Sequence, residues 1–180
     1  MAGRASNLER IDWVIATLEI EPADRVLEIG FGPGVSIKRI SMLAPDGLVV
    51  GIDHSDLMVE RARRRNAAAI ANKTVDVLSG SVSNLPRFDQ PFDKILAINS
   101  MMFWDEPIER LKDLRFLLKP GGRIAIGMQP RSKGATDQIA IVIGHELVKQ
   151  LTAAGFKDVR LETRRMKPVA TVCALGFRRN

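Results

Sequence analysis

Apolar positions recur at helical spacing over the first stretch of the chain. Leu8, Ile11, Ile15 and Leu18 line one face of a helix expected over residues 6–19, with Ser6 and Glu9 resembling a capping box and Pro22 ending the segment. The period then changes. Val26-Leu27-Glu28-Ile29 is apolar except at Glu28 and runs straight into glycines, the pattern of a buried strand entering a tight turn. A helix over Val35–Leu43 leads through Pro45-Asp46-Gly47 to a strand over Leu48–Ile52. A second helix, Ser55–Ala71, precedes the strand Val75–Leu78. A strand over Lys94–Ile98, a helix over Ile108–Leu117, and a Lys119–Gly122 turn into the strand Arg123–Met128 continue the series. Strands alternating with helices predict an α/β fold, a Rossmann-like doubly wound and mostly parallel sheet with helices on both faces.

The tail breaks the rhythm. After a helix ending near Ala154-Gly155 come two β-rich runs, Val159–Arg164 and Val169–Phe177, with only Arg165–Pro168 between them. So short a connection predicts an antiparallel hairpin, which completes a sheet of about seven strands. No linker or repeat divides the 180 residues, so a single domain is expected. Its parts are an N-terminal helix (1–20), a core (21–129), a covering segment and helix (130–155) and the hairpin (156–180).

Composition narrows the setting. Hydrophobic residues make up 46% and charged residues 27%, the mix of a folded globular chain. No apolar run is long enough to cross a bilayer, and the polar start lacks a signal-peptide core, so a cytoplasmic protein is expected. The lone Cys173 excludes an internal disulfide and a cysteine-rich metal site. The net charge of +6 and a pI near 9.9 would suit an anionic partner. The basic residues are dispersed, however, with local groups at Arg61–Arg65, Arg164–Lys167 and Arg178–Arg179, and a solvated basic surface is the plainer expectation.

The glycine turn reads Glu28-Ile29-Gly30-Phe31-Gly32-Pro33-Gly34. Glycines permit the sharp strand-to-helix reversal and a close ligand approach, and the next helix offers unpaired N–H groups. The third glycine follows the second by two positions rather than three, so the dinucleotide fingerprint is not met. Asp53 ends the second strand, where a carboxylate can accept hydrogen bonds from both ribose hydroxyls. A bare helix cap is the competing role, one that Ser55 could fill.

On these residues the chain resembles the class I S-adenosylmethionine-dependent methyltransferases, of the ubiquinone/menaquinone-biosynthesis type. The matching segments are Val26–Gly34, Val50–Ser55 with Met58, Leu118–Arg123 and Ala153–Phe156. The resemblance covers roughly residues 18–177 and implies no particular acceptor. It implies that Glu28, Gly30, Phe31, Gly32, Pro33 and Gly34 form the floor under the methionine part of S-adenosylmethionine. Asp53 would hold the ribose, His54 and Met58 would lie by the adenine, and Asn99 would face the methionine end. Ser81 stands where the family commonly carries an acidic residue bonded to the adenine amine, so that contact is expected to be weaker or indirect. The N–H of Val82 would meet a ring nitrogen. The product would be S-adenosylhomocysteine. The N-terminal segment is short for the family, which leaves an open acceptor pocket or one completed by a partner chain; a homodimer is compatible.

Methyl transfer from a sulfonium is an in-line displacement on a substrate that already carries its leaving group, so alignment and exclusion of water matter most. No metal or nucleophilic triad is needed, and none is visible. Of the two histidines, His54 is expected beside adenine and His145, with Glu146 near a helix start, is a weak candidate base. Met102, Phe103 and Trp104 follow the fourth strand at the carboxyl edge, where an adaptable apolar acceptor wall is expected; ordinary loop packing is the alternative. Residues 129–143 would form another wall and Trp13 the opposite side. The expected acceptor is a small apolar or aromatic molecule. Alternatives are an RNA or lipid-head-group methyltransferase and a non-catalytic cofactor-binding relative. Nucleic acid is not favoured, because Asn99 is followed by Ser100-Met101 and no RNA-binding module fits the length.

Overall fold

The structure is a computed structural model that describes residues 3–179, with side chains from Asn7 onward. Its elements are α1 (Gly3–Thr17), β1 (Arg25–Ile29), α2 (Val35–Leu43), β2 (Leu48–Asp53), α3 (Asp56–Arg65), α4 (Ala67–Ala71) and β3 (Val75–Ser79), followed by β4 (Phe92–Ile98), α5 (Pro107–Leu117), β5 (Leu118–Met128), α6 (Asp137–Ala153), β6 (Lys157–Arg164) and β7 (Thr171–Phe177). The seven strands form one sheet in the order β3-β2-β1-β4-β5-β7-β6. The first five are parallel; β7 runs antiparallel to both β5 and β6.

The expected hairpin is therefore present, but its second strand, not its first, docks on β5. Strand β7 is buried from Thr171 to Gly176, whereas β6 at the edge is mostly exposed or half-buried, which explains the placement: the more apolar strand takes the interior position.

Side chains alternate across the sheet. Leu27, Val50, Ile52, Ile95 and Ile124 share a core cluster with residues of α5 and α6, while Val26, Val49, Leu96 and Ala125 share one with residues of α1 and α2. Glu28 has the parity of Val26 and so points toward α2. Cys173 lies buried on the same side, 3.7 Å from the Thr17 hydroxyl.

Several boundaries differ from the sequence expectation; strand β5 begins at Leu118, so the expected Lys119–Gly122 turn lies within it. Helix α1 begins at Gly3, so Ser6 is inside it; the Ser6 side chain of the expected capping box lies outside the described residues. The helix expected over Ser55–Ala71 is broken at Asn66. The Asn66 side chain donates to the carbonyls of Gly34 (3.1 Å) and Ala62 (2.9 Å), stapling the end of α3 to the glycine turn. Helix α6 starts at Asp137, where Thr136 accepts from the Ile139 N–H at 3.2 Å. Among the described residues no helix is long and apolar enough to cross a membrane.

The parallel strands deliver five connections to one edge of the sheet: residues 30–34, 54–55, 80–91, 99–106 and 129–136. In open α/β sheets ligands bind at this edge.

Candidate functional site

The three glycines after β1 all have positive φ: 76° at Gly30, 56° at Gly32 and 74° at Gly34. Two of them have a further reason to be glycine. A Cβ on Gly30 would stand 2.3 Å from the Ser100 Cβ, and one on Gly34 would stand 2.6 Å from the Ala62 Cβ. A Cβ on Gly32 would meet nothing within 4 Å, because that position faces open space. The turn is tied in place by the Gly30 N–H donating to Ile52 O (2.7 Å) and by the Ser100 hydroxyl donating to Ile29 O (2.8 Å).

Asp53 is buried at the end of β2. Its Oδ2 accepts the Gly32 N–H at 2.8 Å and its Oδ1 accepts the Ser55 N–H at 3.0 Å. The carboxylate is thus fixed before any ligand arrives, and each oxygen keeps further acceptor capacity. It helps line a cavity of about 510 Å³ together with Gly30, His54, Met58, Ser81 and Val82. His54 is exposed, its Nδ1 3.9 Å from Asp53 Oδ1. The Ser81 hydroxyl accepts from the Ser83 N–H at 3.2 Å.

A second cavity of about 210 Å³ is bordered by Glu28, Gly30, Phe31, Gly32, Pro33 and Asn99. Glu28 is fully buried. Its Oε1 accepts from the Ser36 hydroxyl, and its Oε2 has no partner. Burial pushes its carboxyl up to about 7; the Ser36 bond opposes that shift and the Asp53 charge adds to it. Arg10 and Arg131 line the same cavity.

Neither arginine stood out in the sequence: a charged residue on an amphipathic helix or in a loop reads as solvent-facing, and the only signal for Arg10 is its place beside the apolar stripe. Ser100 enters the sequence reading only as the residue after Asn99 that argues against a nucleic-acid acceptor.

Asn99 borders both cavities. Its φ is 52°, an uncommon conformation for a residue other than glycine, and its Oδ1 accepts the Gln129 N–H at 2.8 Å while its Nδ2 lacks a partner. Phe103 and Trp104 line the larger cavity. Met102 is exposed and lines neither. Trp13 packs against the α1-side core and also lines neither. His145 is not at a helix start: it sits exposed in the middle of α6 and borders neither cavity. Among the described residues no three acidic, histidine or cysteine side chains gather as metal ligands would. The two cavities share Gly30 and Asn99; the larger offers an anchored carboxylate, and the smaller a buried acid together with two cations.

A family model described as a methyltransferase domain matches residues 26–122. An uncharacterized methyltransferase, YdaC of Bacillus subtilis, is 33% identical over 170 residues, covering 94% of this chain and 92% of that protein. A demethylmenaquinone methyltransferase of Symbiobacterium thermophilum is 32% identical over 110 residues, 61% of this chain but only 44% of that protein. Among solved structures, an S-adenosylmethionine-dependent methyltransferase from Aquifex aeolicus superposes with a TM-score of 0.75 at 22% identity, covering 93% of this chain and 89% of that one.

Proposed function

The chain belongs to the class I S-adenosylmethionine-dependent methyltransferases, and from that premise we propose that it binds the cofactor across both cavities and methylates a small apolar or aromatic acceptor. The observation that carries the cofactor pose is Asp53, whose carboxylate is anchored by the Gly32 and Ser55 N–H groups beside the glycine turn. In this pose Asp53 accepts the ribose hydroxyls, while Met58, His54 and Val82 border the adenine and Ser81 offers its hydroxyl. The open space at Gly32 and the unpartnered Glu28 Oε2 suit the methionine end with its ammonium group.

The cofactor, when bound, supplies an electrophilic methyl on a sulfonium that departs as a thioether. The chain's part is alignment: Gly30, Ser100 and Asn99 fix the floor beneath the reacting end, and Phe103 and Trp104 wall one side.

Several residues of the basic groups are engaged within the chain, and this favours a small acceptor over RNA. Arg63 donates to Val77 O, Arg64 pairs with Glu60, and Arg65 donates to Pro33 O. Arg164 pairs with Glu9, and Arg179 with Asp158. The test is transfer of labelled methyl to a panel of small phenols and amines, and to total RNA, at about 50 and about 200 mM salt. The expected result is small-acceptor product at both salts. Product only on RNA, collapsing at the higher salt, would overturn the acceptor class.

Glu28 predicts a pH dependence. Its carboxyl sits at about 7 in the folded state against 4.5 when free. Between those values the native chain holds a proton that the unfolded chain has released, so ligand-free stability falls as pH rises through that window. Asp53 and the Ser36 hydroxyl face Glu28 from β2 and α2, and Arg10 and Arg131 share its cavity. Denaturant unfolding at about pH 5 and about pH 8 should show a loss of order 2–3 kcal/mol attributable to this group, absent in Glu28→Gln. Cofactor affinity should move the other way, rising with pH, because the ammonium favours the ionised acid. A Glu28→Gln variant with the parent's pH profile would remove Glu28 from this role.

A further inference from the structure

We propose that Arg10 and Arg131 form a carboxylate subsite that takes the amino-acid end of the cofactor, in the cavity they share with Glu28. This rests on the cofactor reading above. Arg10 is 3% exposed, yet its partners are neutral: Nη1 donates to Gln129 Oε1 at 2.5 Å, Nη2 to Asn7 Oδ1, and Nε has none. Arg131 Nη2 also points to Asn7 Oδ1, at 3.3 Å. Two guanidinium groups thus share one amide oxygen. Among the described residues neither has a carboxylate within 4.0 Å.

A buried cation without a counter-ion is costly, and here a second cation adds repulsion. Both effects show in Arg10 itself: burial first, then the charge of Arg131, bring its pKa down to about 10, so it stays charged at neutral pH. The arrangement is completed by an anion. In the same cavity the Glu28 Oε2 also lacks a partner, so two cations and an acid line one space. That combination complements a zwitterionic α-amino acid, and the planar guanidinium fork suits its carboxylate.

The orientation of Arg10 is fixed from behind. Gln129, which accepts its Nη1, donates in turn to Val169 O at 2.7 Å, so the end of β5 and the β6–β7 connection hold the guanidinium in place. Both arginines lie outside residues 26–122, the segment the family model matches. The subsite is therefore built by α1 and by the loop after β5, and α1 becomes part of the cofactor site.

The test is calorimetric titration of wild type, Arg131→Met, Arg10→Met and Arg10→Lys with two ligands. These are S-adenosylhomocysteine and 5′-methylthioadenosine, which has the same adenosine thioether without the amino-acid end. Arg131 is exposed, so its variant should fold even if Arg10→Met does not. The expected result is an S-adenosylhomocysteine affinity about tenfold or more weaker in Arg131→Met and Arg10→Met, with 5′-methylthioadenosine unchanged and Arg10→Lys in between. Unaltered S-adenosylhomocysteine binding in the Arg131→Met and Arg10→Met variants would overturn the subsite; if turnover alone fell, the pair would serve an anionic acceptor instead. Equal loss of both ligands would reduce the pair to a structural role. Wild-type protein that binds neither ligand would overturn the cofactor reading, and the subsite with it.

Discussion

Asp53→Ala will weaken S-adenosylhomocysteine binding by roughly a hundredfold or more, measured by calorimetric titration. Two losses combine. The ribose hydroxyls lose a charged acceptor, and hydrogen bonds to charged groups are worth about 1.5–3 kcal/mol each. The Gly32 and Ser55 N–H groups, now held by the two carboxylate oxygens, lose the anchor that shapes the turn. A total of about 3 kcal/mol or more corresponds to two decades in Kd. Asp53→Asn keeps one acceptor oxygen and should fall between the two. A folded Asp53→Ala protein whose affinity stayed within about threefold of the parent would remove Asp53 from the ribose site.

Gly30→Ala will cost the fold itself. The added Cβ would stand 2.3 Å from the Ser100 Cβ and 2.9 Å from its hydroxyl, which is held by the bond to Ile29 O. The φ of 76° adds the left-handed penalty for a residue with a side chain. Overpacking of about 1–3 kcal/mol and backbone strain of about 1–2 kcal/mol sum to roughly 2–5 kcal/mol. In a chain of this size that lowers the thermal midpoint by roughly 5–15 °C. Gly32→Ala provides the contrast. Its Cβ meets nothing, so thermal stability should drop only by the strain, while ligand binding suffers because the methyl occupies the space the cofactor needs. Equal midpoints for the two variants would contradict this division of labour.

The sequence made the β1–glycine–α2–β2–Asp53 unit legible because its signals are local. Val26–Ile29, the glycine spacing and a carboxylate at a strand end all act over a few neighbouring residues. The hairpin was legible from its short connection. Its insertion between β5 and the edge was not, since the order of strands depends on which of the two is more apolar on both faces. The break at Asn66 came from a side chain reaching the Gly34 carbonyl, 32 positions away in the chain. Arg10 shows the deeper reason for what was missed. Its burial depends on Gln129, 119 positions away, and helical periodicity carries no trace of such a partner. The expected roles of Trp13 and His145 suffered from the same gap: pattern placed them on helices, but only packing decides which face looks into a cavity.

Calorimetric titration of the ligand-free protein with S-adenosylmethionine, S-adenosylhomocysteine and NAD tests the central claim most directly. Binding of the first two, with Kd on the order of micromolar, and no response to NAD is the result this site predicts. Binding of NAD in their place, or of none of the three, would contradict it.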